Sequence, residues 1–139
     1  MPVNFNAPSS YEMSEKKLLN IYLLNTRPVR NKYCEIRNLV IDNYVDLFCI
    51  TETWLQEHDT STISSFLPDS HIFHYFPRIG SVGDGVGVIA SKSLQSIKVY
   101  NRCHDSFECM EVHISHAGRK FIFFLLYRSP RISAASFLL

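Results

Sequence analysis

The strongest constraint on the fold is a strand–helix–strand pattern in the first third of the chain. An apolar segment at residues 18–25 is followed by residues 31–43, where apolar side chains recur at helical spacing. Residues 46–53 then contain a continuous apolar run, which is typical of a strand buried on both faces of a sheet. Right-handed crossover makes two such strands parallel, so the pattern predicts a βαβ unit and an α/β fold.

The rest of the chain indicates β structure with short turns. We predict one domain over residues 17–139, truncated at its C-terminus, after a flexible arm at residues 1–16. A helix is expected to begin at residues 133–139, with Ser133 as its N-cap. The predicted short helix is 61–67, and the further predicted strands are 71–78, 86–90, 96–100, 107–114 and 120–128.

Composition narrows the class of protein. The chain has 139 residues, 46% of them hydrophobic, and a formal net charge of +1. This balance lacks the basic excess of proteins that hold nucleic acid by charge alone, so any phosphate contact must be local. Four cysteines without C-x-x-C spacing favour a reduced intracellular protein, cytoplasmic or nuclear. No segment resembles a signal peptide or is long enough to span a membrane.

Polar side chains stand at the ends of the two predicted parallel strands. Glu52 closes the strand at residues 46–53, and Asn25 closes the one at 18–25. Ligand sites of open α/β sheets gather beyond strand C-termini, and carboxylate and amide oxygens are suitable ligands for Mg²⁺. The alternatives remain open: Glu52 as an acid that caps a turn or pairs with an arginine, and Asn25 as a turn former.

Three further positions bear on function. Tyr127 and Arg128 end the longest apolar strand, where a phenol and a guanidinium could contact a phosphate or simply lie at the surface. The glycine cluster around Gly85 lacks the lysine and the following helix of a phosphate-binding loop, so it indicates a tight turn into a strand. Glu108 falls in register with inward-facing residues and is expected to make a structural hydrogen bond.

Four blocks of residues, taken in order and spacing, resemble the endonuclease/exonuclease/phosphatase superfamily. The likeness is greatest to the apurinic-like endonuclease domain at the front of the polyproteins of LINE-type (non-LTR) retrotransposons, which also carry reverse transcriptase. It runs from about residue 18 to the end of the chain. The four blocks are residues 23–32, 46–55, 85–88 and 127–130.

This resemblance implies a DNase-like fold, in which two mixed β-sheets form a sandwich flanked by helices in four α/β/β/α layers. It also implies a Mg²⁺- or Mn²⁺-dependent endonuclease that binds the DNA backbone and hydrolyses a phosphodiester by water attack. On that basis Glu52 and Asn25 match metal-site residues, and Tyr127 matches the tyrosine that contacts the scissile phosphate. Arg128 matches a residue type common beside that tyrosine in the LINE branch, where it would bind phosphate.

Departures from the family pattern predict an inactive fragment. The printed sequence contains neither the family's later Asp-x-Asn, which orients the attacking water, nor its terminal Ser-Asp-His. Ser129 replaces a family proline, and Asp84 replaces a family glycine. We therefore expect a decayed or truncated retrotransposon copy that is inactive alone.

Two other functions stay open at this point. One is a non-catalytic interaction module, because half of a sandwich leaves strands uncovered that could drive self-association. The other is a phosphoinositide or sphingolipid phosphodiesterase of the same superfamily. The string Thr-Glu-Thr-Trp-Leu at residues 51–55 favours the LINE branch over the second alternative.

Overall fold

The computed structural model describes residues 18–77 and 84–130, which form two β-sheets and a helical layer. The four-stranded sheet has the order β1-β2-β4-β3, and the three-stranded sheet has the order β5-β6-β7. The strands are β1 (Ile21–Asn25), β2 (Leu47–Thr51), β3 (His71–Phe76), β4 (Val86–Ser91), β5 (Ser96–Asn101), β6 (Glu108–His116) and β7 (Arg119–Tyr127). The helices are a 3₁₀ turn (Val29–Asn31), α1 (Tyr33–Asp42) and α2 (Thr60–Phe66).

The βαβ unit predicted from the sequence is present. Strands β1 and β2 pair in parallel, with Asn25 opposite Thr51 at their C-terminal ends. On its other side β2 pairs antiparallel with β4, so the sheet is mixed. Because β2 lies in the middle of the sheet between two packed layers, its apolar run is buried on both faces.

Helix α1 forms because two side chains one helical turn apart, Ile36 and Val40, are fully buried against the sheet. The helix ends at Asp42 and is capped by Asn43, whose backbone N–H and side-chain amide both donate to the carbonyl of Leu39. Tyr44 then adopts a left-handed backbone conformation, a common way of ending a helix. No helix in the described parts of the chain is long and apolar enough to cross a membrane.

Two apolar cores lie on opposite faces of the four-stranded sheet. Phe48 and Ile50 of β2 face the helices, whereas Leu47 faces the second sheet. The inter-sheet core includes Met110 and Val112 of β6. Helices, four-stranded sheet and three-stranded sheet are thus three of the four layers that the family resemblance implies.

The observed bounds differ from the predicted ones at a few points. Strand β1 begins at Ile21 and not at residue 18; at Asn20 the backbone N–H donates to the side-chain carboxylate of Asp46, while the carbonyl accepts the backbone N–H groups of Asp46 and Leu47. Strand β3 ends at Phe76, before the predicted limit of 78. The predicted arm at 1–16, the helix start at 133–139 and two glycines of the turn lie outside the described residues.

Candidate active site

The C-terminal ends of β1 and β2 are fastened together by Thr26. Its backbone N–H donates to the carbonyl of Thr51 at 2.9 Å, and its hydroxyl lies 3.0 Å from the carbonyls of both Thr51 and Glu52. Thr26 is fully buried, so water does not compete for these bonds. The two strand ends that carry Asn25 and Glu52 therefore hold a fixed relative position.

Glu52 occupies an unusual backbone and side-chain position. It has a φ of 52°, in the left-handed region that non-glycine residues rarely adopt, and it is only 5% exposed. One carboxylate oxygen accepts a hydrogen bond from the hydroxyl of Tyr127 at 2.5 Å, and the other accepts one from Nε of Arg27 at 2.6 Å. Strained residues of this kind cluster at functional sites.

The environment of Glu52 acts on its acidity in two opposing ways. Burial acts to raise the pKa of its carboxyl, but hydrogen bonds from Tyr127, Arg27 and Asn25, with the positive charge of Arg27, outweigh burial. The pKa of Glu52 therefore lies below its ordinary value, and the side chain is a carboxylate at neutral pH. Asn25 lies opposite Thr51 in the β1–β2 ladder, one residue before Glu52, which places its side chain near the carboxylate.

Tyr127 ends β7 in the second sheet and faces Glu52 across the sandwich. Burial and the hydrogen bond to Glu52 raise the pKa of its phenol well above the ordinary value. The phenol therefore stays protonated and acts as a hydrogen-bond donor.

Removing the hydroxyl of Tyr127 tests how strongly this bond holds the two sheets together. The Tyr127→Phe variant should lose about 1.5–3 kcal/mol of unfolding free energy in urea titrations, because a buried carboxylate loses a donor. Tyr75→Phe is the matched control: its hydroxyl makes only long bonds of 3.5 and 3.4 Å to the carbonyls of Gln56 and Glu57, so its change should stay below about 0.5 kcal/mol. Equal losses in the two variants would contradict a special role for the Tyr127 hydroxyl.

The turn into β4 supports the loop that follows Glu52. The backbone N–H groups of Thr53 and Trp54 donate to the carbonyls of Gly85 (3.2 Å) and Asp84 (2.8 Å). The N–H of Gly85 in turn lies 3.1 Å from the carboxylate of Glu108, the structural hydrogen bond expected for that residue. Gly85 has a φ of 98°, and a Cβ there would lie 2.5 Å from Oγ1 of Thr53. Glycine is therefore required where the two backbones meet.

A cleft of about 440 Å³ lies next to this site, at the same end of the sandwich as Tyr127. Glu108, which pairs with Tyr127 in the β6–β7 ladder, lines the cleft together with Asp84 and Asp105. Its lining is therefore rich in acidic groups, and it also includes His104 and Ser129.

Comparison with solved structures identifies the fold that carries this site. No protein-family model and no curated protein matches the chain. AP endonuclease LMAP from Leishmania major matches with a TM-score of 0.61 and 13% identity, covering 85% of this chain and 42% of that one. The human Nocturnin catalytic domain matches with a TM-score of 0.56 and 13% identity, covering 81% of this chain and 50% of that one. A humanised D. rerio TDP2 matches with a TM-score of 0.56 and 15% identity, covering 81% of this chain and 48% of that one. The chain has the endonuclease/exonuclease/phosphatase fold. It spans about half the length of these structures, and identities this low show the fold alone.

Within this endonuclease/exonuclease/phosphatase fold, three of the four residues singled out by sequence converge. Asn25, Glu52 and Tyr127 meet at one end of the sandwich. Arg128 follows Tyr127 directly and is exposed. The ion pair with Arg27 was not assigned from sequence, although pairing of Glu52 with an arginine was an open alternative. The position of Arg27 in the turn after β1 was the signal available in the sequence. This turn and Glu52 both follow the C-terminal ends of neighbouring parallel strands.

The residues at this site fit a divalent cation that needs few protein ligands. Mg²⁺ is often held by one or two carboxylates and keeps several waters. A carboxylate offers about four acceptor positions, of which Tyr127 and Arg27 take one on each oxygen of Glu52 and Asn25 a third, so one remains for a cation. Within residues 18–77 and 84–130 no three His, Cys, Asp or Glu residues group as a metal site, so the ligand set is sparse. The Arg27 side chain, 63% exposed, can move away from Glu52.

Proposed function

We propose that this chain carries part of a Mg²⁺- or Mn²⁺-dependent site for phosphodiester hydrolysis in DNA. The observation that supports the proposal most directly is the convergence of Asn25, Glu52 and Tyr127 from three strands in two sheets. The source we propose is the endonuclease domain of a LINE-type retrotransposon, on the strength of the four sequence blocks. That the solved structures sharing the fold include an AP endonuclease is consistent with DNA as substrate.

The roles of the residues follow from their protonation states and placement. Glu52 is ionised and fixed by its backbone, and with Asn25 it would hold the cation. Tyr127 is a protonated donor that would turn from Glu52 to a phosphate oxygen, and Arg128 would add a guanidinium to the same phosphate. Bound Mg²⁺ supplies stabilisation of the negative charge that develops on the phosphate and the leaving oxygen.

We further propose that these 139 residues alone do not turn over substrate. They contain no Asp-x-Asn to orient the attacking water and no Ser-Asp-His to contact the phosphate. Loss of a general base alone costs about 10²- to 10⁴-fold in rate. Binding and hydrolysis are therefore separable in this chain.

Binding and cleavage of a fluorescent duplex that contains one abasic-site analogue test both parts of the proposal. Fluorescence anisotropy should give a dissociation constant at least about fivefold lower in Mg²⁺ than in EDTA, about 1 kcal/mol of cation-dependent binding. Glu52→Gln should abolish that difference. Glu111→Gln, which breaks an ion pair with Arg102 on the outer face of β6, should keep it. Gel analysis of the same mixtures should detect no nicking above a protein-free control.

Three outcomes would change this assignment. Binding that does not depend on Mg²⁺ would overturn the cation site. Nicking that depends on Mg²⁺ and on Glu52 would overturn the proposed inactivity while supporting the endonuclease assignment. Hydrolysis of phosphoinositide vesicles but not of DNA would overturn the proposed substrate.

A further inference from the structure

The only tryptophan of the chain, Trp54, lies in the loop that follows Glu52. It is 41% exposed, whereas the residues on either side of it, Thr53 and Leu55, are buried. Two trans peptide bonds separate Trp54 from Glu52, so their Cα atoms are at most about 7.6 Å apart. Tryptophan is enriched where proteins contact other molecules, because its indole offers a large apolar area and one polar N–H. The indole is therefore available to a ligand bound at the candidate active site.

The backbone that carries this indole is held in a strained conformation. Trp54 has a φ of 56°, in the left-handed region, and it is the second such residue in this loop after Glu52. Its backbone N–H donates to the carbonyl of Asp84 at 2.8 Å, and the next side chain, Leu55, is buried in the core between sheet and helices. Strain of this kind persists only where the surrounding structure fixes it, and it clusters at functional sites. The indole therefore projects from a fixed Cα, and only its two side-chain torsions become ordered on binding.

Two exposed arginines flank the loop. The backbone N–H of Val29 donates to the carbonyl of Thr53 at 3.3 Å, so the turn after β1 lies against the residue before Trp54. This turn carries Arg27 and Arg30, whose side chains are 63% and 54% exposed although each pairs with one neighbouring acid. An aromatic side chain beside exposed cationic groups is the arrangement that binds single-stranded nucleic acid, because a base stacks on the ring while the cations contact phosphates.

We propose that Trp54 stacks on an unpaired base of a nucleic-acid strand whose backbone lies at the candidate active site. The inference rests on the proposed function, which supplies the phosphate position beside Glu52 and Tyr127, and it narrows the substrate to a strand with at least one unstacked nucleotide. Inside a duplex both faces of a base are covered by its neighbours, so an indole finds a free face only at a single-stranded, mismatched or gapped position. The two arginines favour a polyanion over an apolar protein partner for this indole.

The fluorescence of Trp54 tests the stacking directly, because no other tryptophan contributes to the signal. Titration of the full chain with a short single strand of deoxythymidines should quench the emission in a saturable way, because a base stacked on an indole quenches its excited state. A blunt duplex that contains the same strand should quench the emission little, since its bases are already stacked on one another. The titration is made in Mg²⁺ and again in EDTA, and the quenching at saturation should be equal in both.

Substitution of Trp54 measures how much the stacking contributes to affinity. Trp54→Leu should raise the dissociation constant of a fluorescein-labelled single strand, measured by anisotropy, at least about fivefold, and Trp54→Phe should raise it less. Tyr44→Leu is the matched control and should leave the affinity unchanged. Tyr44 is 83% exposed, has a φ of 50° and precedes β2 at the end opposite to Trp54. Leucine keeps the Cβ, so neither substitution alters the backbone strain, and circular dichroism should show an unchanged fold.

The contrary results separate this inference from the proposed function. A single strand that fails to bind, that binds without quenching, or that binds Trp54→Leu as tightly as the wild-type chain would overturn the stacking. Equal weakening in Tyr44→Leu would overturn it as well. Mg²⁺-dependent binding of the abasic-site duplex with no quenching by any strand would reject the inference, leave the proposed function intact and assign the indole to a protein partner. Quenching that needs neither Mg²⁺ nor Glu52 would support the stacking while contradicting the cation site.

Discussion

The Glu52→Gln variant should bind Mn²⁺ at least about tenfold more weakly than the wild-type chain, a loss of about 1.4 kcal/mol. Glutamine keeps the shape of the side chain and can still accept the hydrogen bond from Tyr127, but it removes the negative charge. That charge is available at neutral pH because hydrogen bonds from Tyr127, Arg27 and Asn25 outweigh the effect of burial and keep the pKa of Glu52 low. Electron paramagnetic resonance of free Mn²⁺ during a titration measures the affinity directly.

Two companion variants make this result specific to the site. Glu111→Gln removes an equal charge from the outer face of β6 and should leave the affinity unchanged. Arg27→Ala should tighten Mn²⁺ binding, because its guanidinium competes for the carboxylate oxygen that it contacts at 2.6 Å. Equal Mn²⁺ affinity in the wild-type chain and Glu52→Gln would contradict the proposal that Glu52 binds a divalent cation.

The Gly85→Ala variant should be less stable than the wild-type chain by about 2–4 kcal/mol, the sum of backbone strain and a steric clash. Its φ of 98° is unfavourable for any residue with a Cβ, and that Cβ would lie 2.5 Å from Oγ1 of Thr53. Relief of the clash requires either rotation of the Thr53 side chain, which breaks its hydrogen bond from the N–H of Leu55, or movement of the Glu52–Trp54 loop away from β4. Urea unfolding followed by circular dichroism measures the loss, and Mn²⁺ affinity should fall in the protein that remains folded.

Gly118→Ala separates the two contributions. Gly118 also has a positive φ, 74°, but a Cβ there would meet nothing within 4 Å. Its substitution should therefore cost only the left-handed backbone strain, about 1–2 kcal/mol. If Gly85→Ala were no more destabilising than Gly118→Ala, the close contact between the β4 turn and Thr53 would not be the reason that position 85 requires glycine.

The juxtaposition of Asn25 and Glu52 could be predicted from sequence because it depends on local rules. The continuous apolar run of β2 indicated a central strand, and the βαβ pattern indicated that its neighbour was parallel. The C-terminal ends of neighbouring parallel strands lie side by side, so the residues at or just after those ends come close together. The expected two-sheet α/β sandwich is confirmed by the structure and by the solved structures that share the fold.

Other features of the site depend on contacts that no local pattern encodes. The placement of Tyr127 next to Glu52 followed only from the family resemblance, since the two residues lie on different sheets. The left-handed backbone of Glu52 depends on Thr26 and Gly85, which bind the loop from two other strands. Which arginine pairs with Glu52 depends on the path of the turn after β1, and the sequence does not define that path in detail.

The hydrogen bond between Tyr127 and Glu52 also has a consequence for the order of events during folding. It joins residues 75 positions apart, so it can form only after the chain between them has adopted both sheets. Until then Glu52 lacks its phenol donor and the enclosure that the second sheet provides. Partly folded molecules therefore present Glu52 without the contact that joins the two sheets.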